Sequence, residues 1–425
     1  MIGQTMHHLC QELFPICRSL SGKGVRDTLQ ILKTKHLPDL SIHEVPTGMQ
    51  CFDWTVPSEW NIEDAYILDP SGRKIVDFKK NNLHVVGYSV PIDREIELDE
   101  LQEHLHSLPE QPNAIPYITS YYEEYWGFCL THEQRRHLSP GRYRAVIRSR
   151  LEPGFLTYGE LMISGASTNE VFLSTYICHP SMANNELSGP VVSTFLAKRL
   201  SNQPERSLSY RFVFVPETIG SLIYLSRHLN VLKTHVIAGF NLSCLGDDRA
   251  TSFLPSRGEN TLADRVARHV LRWMAPNYIT YSFLDRGSDE RQYCAPGIDL
   301  PVASIMRSKY GTYPEYHTSL DDFSLVTPTG LQGGYDLLAR CLEVLERNCI
   351  PRAAVLGEPQ LGKRGLYPAL STKDTTKQVK DMMNLLAYSD GSRDLIDLAD
   401  KIGVPCWNLF SLVDRLRKER LLVDA

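Results

Sequence analysis

From about Gly141 onward, short apolar runs alternate with helix-length amphipathic stretches. "EVFLSTYI", "YRFVFVP", "HVIAGFNL" and "PVASIMR" are apolar at consecutive positions and rich in β-branched or aromatic side chains. Runs of this kind predict strands covered on both faces. Helical stretches such as "GPVVSTFLAKRLSN" and "NTLADRVARHVLRWM" separate most of them. The alternation implies an α/β architecture with a mostly parallel sheet flanked by helices. Before it, the first 35 residues read as helix–loop–helix, broken at "SLSGKG". Between Met49 and Leu138 the texture changes to short β-type runs punctuated by Pro, Asn, Asp and Gly, followed by the aromatic stretch "NAIPYITSYYEEYWGFCL". This segment reads as an inserted β-rich domain, with Tyr121, Tyr122, Trp126 and Phe128 either in its own core, the favoured reading, or shaping the entrance to a site. After Arg352, "EPQLGKRGLYP" has linker composition. Leu395, Leu398, Ala399 and Ile402, then Leu409, Leu412, Val413 and Leu416, lie at helical spacing around a "GVP" turn, which predicts a winged helix. The expected division is therefore 1–48 with 139–352 for the α/β domain, 49–138 for the insertion and 353–425 for the winged helix.

Composition narrows the classes. With 425 residues, 42% hydrophobic, the chain is long enough for several cores. The net charge of -5 gives no sign of a nucleic-acid or membrane partner. The ten cysteines form no C-x-x-C pair and read as reduced thiols, and no signal peptide is evident, so a cytoplasmic protein is expected. From Glu358 onward there are 11 Lys/Arg against 10 Asp/Glu, a poor balance for a DNA reader.

In a parallel sheet, chemistry collects at the carboxyl ends of strands. His179 follows "LSTYIC", and an imidazole there suits a divalent metal. Asn184, Asn185 and Glu186 follow in a loop that can return a carboxylate toward the ring. Glu217 ends "YRFVFVPE", where a carboxylate is costly unless solvated, paired or functional. His317 lies in "KYGTYPEYHTSLDD", with Asp321 and Asp322 near enough to orient its ring. Two histidines and a glutamate from different strand ends form the constellation of a metal-assisted hydrolase. "GDDR" at 246–249 and "RGSDERQY" at 286–293 add acidic groups at further loops.

The motif order "His179…NNELSG…PETIGS…FNLSCLGDD…GSDE…YHTSLDD" resembles the two-metal zinc aminopeptidase-like exopeptidases. The whole chain is similar to a bacterial group of that fold whose members carry an inserted β-rich module and a C-terminal winged helix and often accompany polysaccharide-biosynthesis genes. The resemblance implies that His179 and His317 are ligands and Glu217 the general base. Three anionic ligands of the pattern are replaced, by Asn185, Thr218 and Ser243. Two divalent cations a few ångströms apart need carboxylates between them, so one zinc ion is expected. The ligand set taken is His179, Glu186 and His317 with Glu217 as base; the alternative gives Glu217 to the metal and removes the base. Asn185, Asp247, Asp289 and Tyr316 are the candidates for contact with substrate.

The expected function is thus an amide hydrolase, aminopeptidase-like, with one zinc activating water. Its substrate would be a small peptide or an aminoacyl or acylamino compound. An inactive ligand-sensing module and a winged-helix DNA-binding regulator are the alternatives, and a homo-oligomer is left open.

Overall fold

The consecutive apolar runs have no face to give to water, and the protein encloses them. Its computed structural model describes residues 2–121, 123–366 and 373–425, the side chains of 373–376 excepted. Every residue of strands Glu170–Tyr176, Ser209–Val215 and Val302–Met306 is buried. They belong to an eight-stranded sheet whose order is Ser41–Pro46, Phe155–Ile163, Ser209–Val215, Glu170–Tyr176, Val236–Asn241, Val302–Met306, Ser252–Leu254, Ile279–Thr280. The four central strands are parallel and the flanking pairs add antiparallel edges. The charges inside these runs are paired: Arg211 bonds Glu170 through both carboxylate oxygens at 2.6 and 2.9 Å. That fork satisfies a guanidinium that would otherwise be buried alone.

After the strand Glu170–Tyr176 the chain makes one wide turn, Ala183–Leu187, and enters helix Ser188–Ser201. Gly189 permits this close return. A Cβ there would lie 2.3 Å from the Leu242 carbonyl oxygen and 2.5 Å from Thr175 Oγ1. Helices Ile2–Leu13 and Lys23–Lys35 form the expected N-terminal pair.

A second, four-stranded antiparallel sheet runs Lys74–Asp77, Glu59–Leu68, Arg142–Glu152, Ile92–Glu97. Its pairing extends past residue 138, where the insertion was expected to end, because Arg142–Glu152 alternates outward charge with inward Tyr143, Ala145 and Ile147 and so matches this sheet. Within the aromatic stretch Phe128 is fully buried and Trp126 stacks on His104 at 3.6 Å. Tyr121 lines a cleft described below, and Tyr122 lies outside the described residues.

The chain divides into two units, Met1–Ala263 with Ile279–Asp336, and Asp264–Tyr278 with Leu337–Ala425. The second contains helices Lys373–Tyr388, Leu395–Ile402 and Cys406–Lys418 and a ribbon of Pro351–Ala353 with Leu422–Asp424. Asp394 caps the middle helix by accepting from Asp397 N–H at 3.0 Å, and Gly403, at φ 81°, ends it. Within this unit the helix-turn-helix is fastened to its neighbours. Asp394, Asp397 and Asp400 pair with Arg265, His269 and Arg272 at 2.6–2.8 Å. The last helix starts with Cys406 N–H donating to His269 Nε2 at 2.8 Å, and its Asp414 pairs with Arg347 at 2.5 Å. No helix among the described residues is long and apolar enough to cross a membrane, and none of the ten cysteines forms a disulfide.

Candidate metal centre and cleft

His179 stands three residues beyond its strand, and its orientation is fixed from behind. Glu186 Oε2 accepts from the His179 backbone N–H at 2.9 Å and meets ring Nδ1 at 3.1 Å. Glu186 Oε1 accepts from Arg18 Nε at 2.9 Å, and the same Nε reaches the His179 carbonyl at 3.1 Å. Both charged side chains are completely shielded from solvent. A carboxylate on Nδ1 keeps a proton there, so Nε2 is the nitrogen that can give up its own proton to a cation. Burial works against charge on the ring, but Cys178, Glu186 and Glu217 outweigh it and hold its proton well above the usual imidazole range.

His317 arrives from a loop beyond Val302–Met306 with φ 56°, a left-handed conformation that a non-glycine residue adopts only when held. The insertion holds it. Tyr117 N–H donates to the His317 carbonyl at 2.9 Å, Ser319 N–H to Ile115 O at 2.9 Å, and Pro116 bridges to Thr318. The Tyr316 ring stacks on His317 at 3.9 Å. Asp321, expected to orient this ring, sits instead under the other histidine's turn, where it accepts the N–H groups of Asn184 and Asn185 at 2.6 and 2.9 Å. Asp322 accepts from Ser324 N–H. His317 Nε2 is buried without a hydrogen-bond partner, and burial pushes its ring down to about 3. The two imidazole centres are 5.6 Å apart, and Tyr117 meets both edge-on, at 5.3 and 5.1 Å.

Glu217 follows its strand as expected. Its N–H donates to Cys178 Sγ at 3.1 Å, its Oε1 accepts from Ser288 Oγ at 2.8 Å, and its Oε2 lies 3.6 Å from His179 Nε2. Burial raises its carboxyl above the usual range, with His179 opposing. The next residue, Thr218, takes φ 64° and accepts from Arg291 Nη2 at 2.5 Å. Tyr117, Tyr121, His179, Glu217, Arg291 and His317 line a cleft of about 360 Å³.

Two donor sets border His179. Cys178, His179 and Glu186 are the one group of three among the described residues whose donor atoms lie within 4.8 Å of one another. That group is already satisfied internally: Arg18 occupies one Glu186 oxygen, His179 the other, and burial pushes the Cys178 thiol up to about 11. The looser set, facing the cleft, is His179 Nε2 and the orphaned His317 Nε2, with Glu217 Oε2 standing 3.6 Å from the first. Two imidazoles on one tetrahedral ion, at about 2.0–2.1 Å each, have ring centres roughly 5 Å apart. The observed 5.6 Å is close to that, and an unpartnered buried ring nitrogen suits a cation. A second ion finds no acidic ligand at Asn185, Thr218 or Ser243. Asn185 Nδ2 donates to the Tyr176 hydroxyl at 2.8 Å, while Asn185 Oδ1 and Ser243 Oγ are buried and unpartnered.

The residues expected at the substrate are dispersed. Asp247 is fully buried, and its oxygens take Asn184 Nδ2, Ser308 N–H and Oγ, and Arg249 N–H. Asp289, also fully buried, accepts from Thr218 N–H and Ser221 Oγ, with its carboxyl pushed up to about 8 by burial and by Glu217. None of the four lines the cleft: Asn185 bonds the Tyr176 hydroxyl, and Tyr316 stacks on His317. Arg18, Tyr117, Ser288 and Arg291 were not anticipated. Only "RGSDERQY" and the aromatic stretch carried any signal for them.

A family model described as a domain of unknown function, DUF4910, matches residues 7–348, and a winged helix-turn-helix model matches residues 349–424. A Clostridium acetobutylicum protein with the provisional name polysaccharide biosynthesis protein with aminopeptidase-like domain is 43% identical over 426 residues, covering 99% of this chain and 96% of the relative. A crystal structure from C. acetobutylicum, provisionally described as a peptidase, superposes with a TM-score of 0.94 at 42% identity, over 100% of this chain and 96% of that one. The zinc aminopeptidase BSAP of Bacillus subtilis superposes with a TM-score of 0.57 at 13% identity, over 81% of this chain and 94% of that one, a likeness of fold alone. The chain belongs to the DUF4910 family, a bacterial group of aminopeptidase-like fold with a C-terminal winged helix-turn-helix.

Proposed function

We propose that the protein is an amide hydrolase that uses one divalent ion, zinc by analogy with its fold neighbours, held by His179 and His317. The observation that carries this is the pair of imidazoles 5.6 Å apart, one nitrogen orphaned, beside the Glu217 carboxylate. The ion would supply Lewis-acid polarisation of the scissile carbonyl. Glu217, with Ser288 fixing one oxygen, is the base that takes a proton from the attacking water through Oε2 and returns it to the leaving amine. Glu186, expected among the ligands, acts here as the group that orients His179, because both its oxygens are engaged. Tyr117 closes the site from the insertion. The substrate is a small peptide or an acylamino compound, and the relative's name favours a product of polysaccharide biosynthesis. The winged helix serves as a packing element, since its last helix is tied down through Cys406 and Asp414.

Hydrolysis of an amide panel by the wild type and by Glu217→Gln tests this. Turnover in the first and its loss in the second, with the metal retained, is the expected result. The neutral Asn185, Thr218 and Ser243 favour a second reading, a ligand-binding module without turnover. A metal-free protein inert on every amide would support it.

A further inference from the structure

The cleft's charges point to its substrate. Among the described residues Glu217 is the one acidic residue lining it, and it is already committed to His179 and Ser288. An enzyme that trims free amino termini must hold an ammonium group, and among the described residues no second carboxylate lines this cleft to do so. The cleft instead presents a guanidinium. Arg291 lies at the start of the short helix Glu290–Tyr293, is exposed, and donates Nη2 to the neutral Thr218 hydroxyl at 2.5 Å. No ion pair joins Arg291 to a carboxylate among the described residues. Its charge reaches the site, acting on both Glu217 and Tyr316.

Thr218 explains the position. A neutral hydroxyl, and not a carboxylate, tethers the arginine there. The left-handed backbone of Thr218, with its N–H tied to Asp289, fixes the direction of that hydroxyl. A planar guanidinium with donors to spare is the natural partner of a carboxylate.

Building on the hydrolase reading above, we infer that Arg291 recognises a free carboxylate on the amine side of the scissile amide, so that the substrates are N-acyl amino acids or peptide carboxyl ends rather than free amino termini. The amide C–N bond is broken by water: the acyl carbon gains the hydroxyl and the leaving amine gains a proton.

The test has two arms. In the first, the metal-loaded wild type and its Arg291→Gln and Arg291→Lys variants are assayed on matched substrates: an N-acetyl amino acid, the same compound with its carboxylate capped as an amide, and an aminoacyl amide with a free amine. The free carboxylate is expected to raise kcat/KM by about tenfold or more, mainly through KM, as for a hydrogen bond to a charged group. The Gln variant loses that preference and the Lys variant regains part of it. In the second arm, calorimetry follows an N-acetyl amino acid binding to Glu217→Gln protein with and without Arg291→Gln, and about tenfold weaker binding is expected without the arginine. Turnover that ignores the carboxylate, or prefers the free amine, overturns the inference and leaves the hydrolase reading standing. Arg291-dependent binding with no turnover of any amide overturns the hydrolase reading and leaves the carboxylate site standing.

Discussion

Replacing Arg18 by Met should destabilise the larger unit out of proportion to the size of the change. Arg18 and Glu186 are both fully shielded, 2.9 Å apart, and the arginine also bonds the carbonyls of Leu13 and His179. Removing one member of a buried pair leaves the other charged and unsolvated, at a cost of about 3–5 kcal/mol. Methionine fills much of the same volume, so little of the loss comes from a cavity. Glu186→Gln keeps an acceptor for the His179 N–H while removing the charge. The double variant Arg18→Met/Glu186→Gln should therefore lose clearly less than the sum of the singles, by about 1–3 kcal/mol. Urea unfolding followed by tryptophan fluorescence at neutral pH, run as a double-mutant cycle, reads both numbers. A cost below about 1 kcal/mol for Arg18→Met, the range of an exposed ion pair, would refute the reasoning. Zinc titration of the Glu186→Gln variant separates the two roles of Glu186. An orienting carboxylate loses about 10–100-fold in metal affinity on conversion to Gln, whereas losing a true ligand abolishes binding.

Other consequences are open to direct measurement. Glu217→Gln should lower kcat by about 10²–10⁴-fold with the metal content unchanged, read by steady-state kinetics beside elemental analysis. Gly189→Ala should cost about 1–3 kcal/mol or more in urea unfolding, because its methyl group meets backbone at Leu242, and a neutral result would remove the close-approach argument. Asp394→Ala should destabilise the smaller unit by about 1–2 kcal/mol through loss of a helix cap and of the Arg265 pair, seen in thermal unfolding of that unit.

The sequence carries the main sheet because runs such as "EVFLSTYI" can satisfy their pattern only when buried on both faces. His179 and Glu217 are visible for a related reason: each is an ionisable residue directly after the apolar end of such a run. Their partners are less legible. Glu186 looks like a ligand by its nearness to His179 in the chain, and its other partner, Arg18, is 168 positions away, beyond any local pattern. Tyr117 belongs to an aromatic stretch that reads as the insertion's own core, and its contact with both histidines depends on how the insertion meets the His317 loop. Asp247 and Asp289 show the converse, acidic loop residues that suggest a substrate site but support backbone turns. The winged helix is clear from its apolar spacing, whereas its pairing with Arg265, His269 and Arg272 could not be read from sequence.

The central claim is a single ion shared by two histidines. Elemental analysis of the protein reconstituted with zinc and desalted, repeated for His179→Ala and His317→Ala, tests it most directly. The account predicts one zinc per chain in the wild type and close to none in either variant. Two ions per chain, or full occupancy surviving the loss of either histidine, would contradict it.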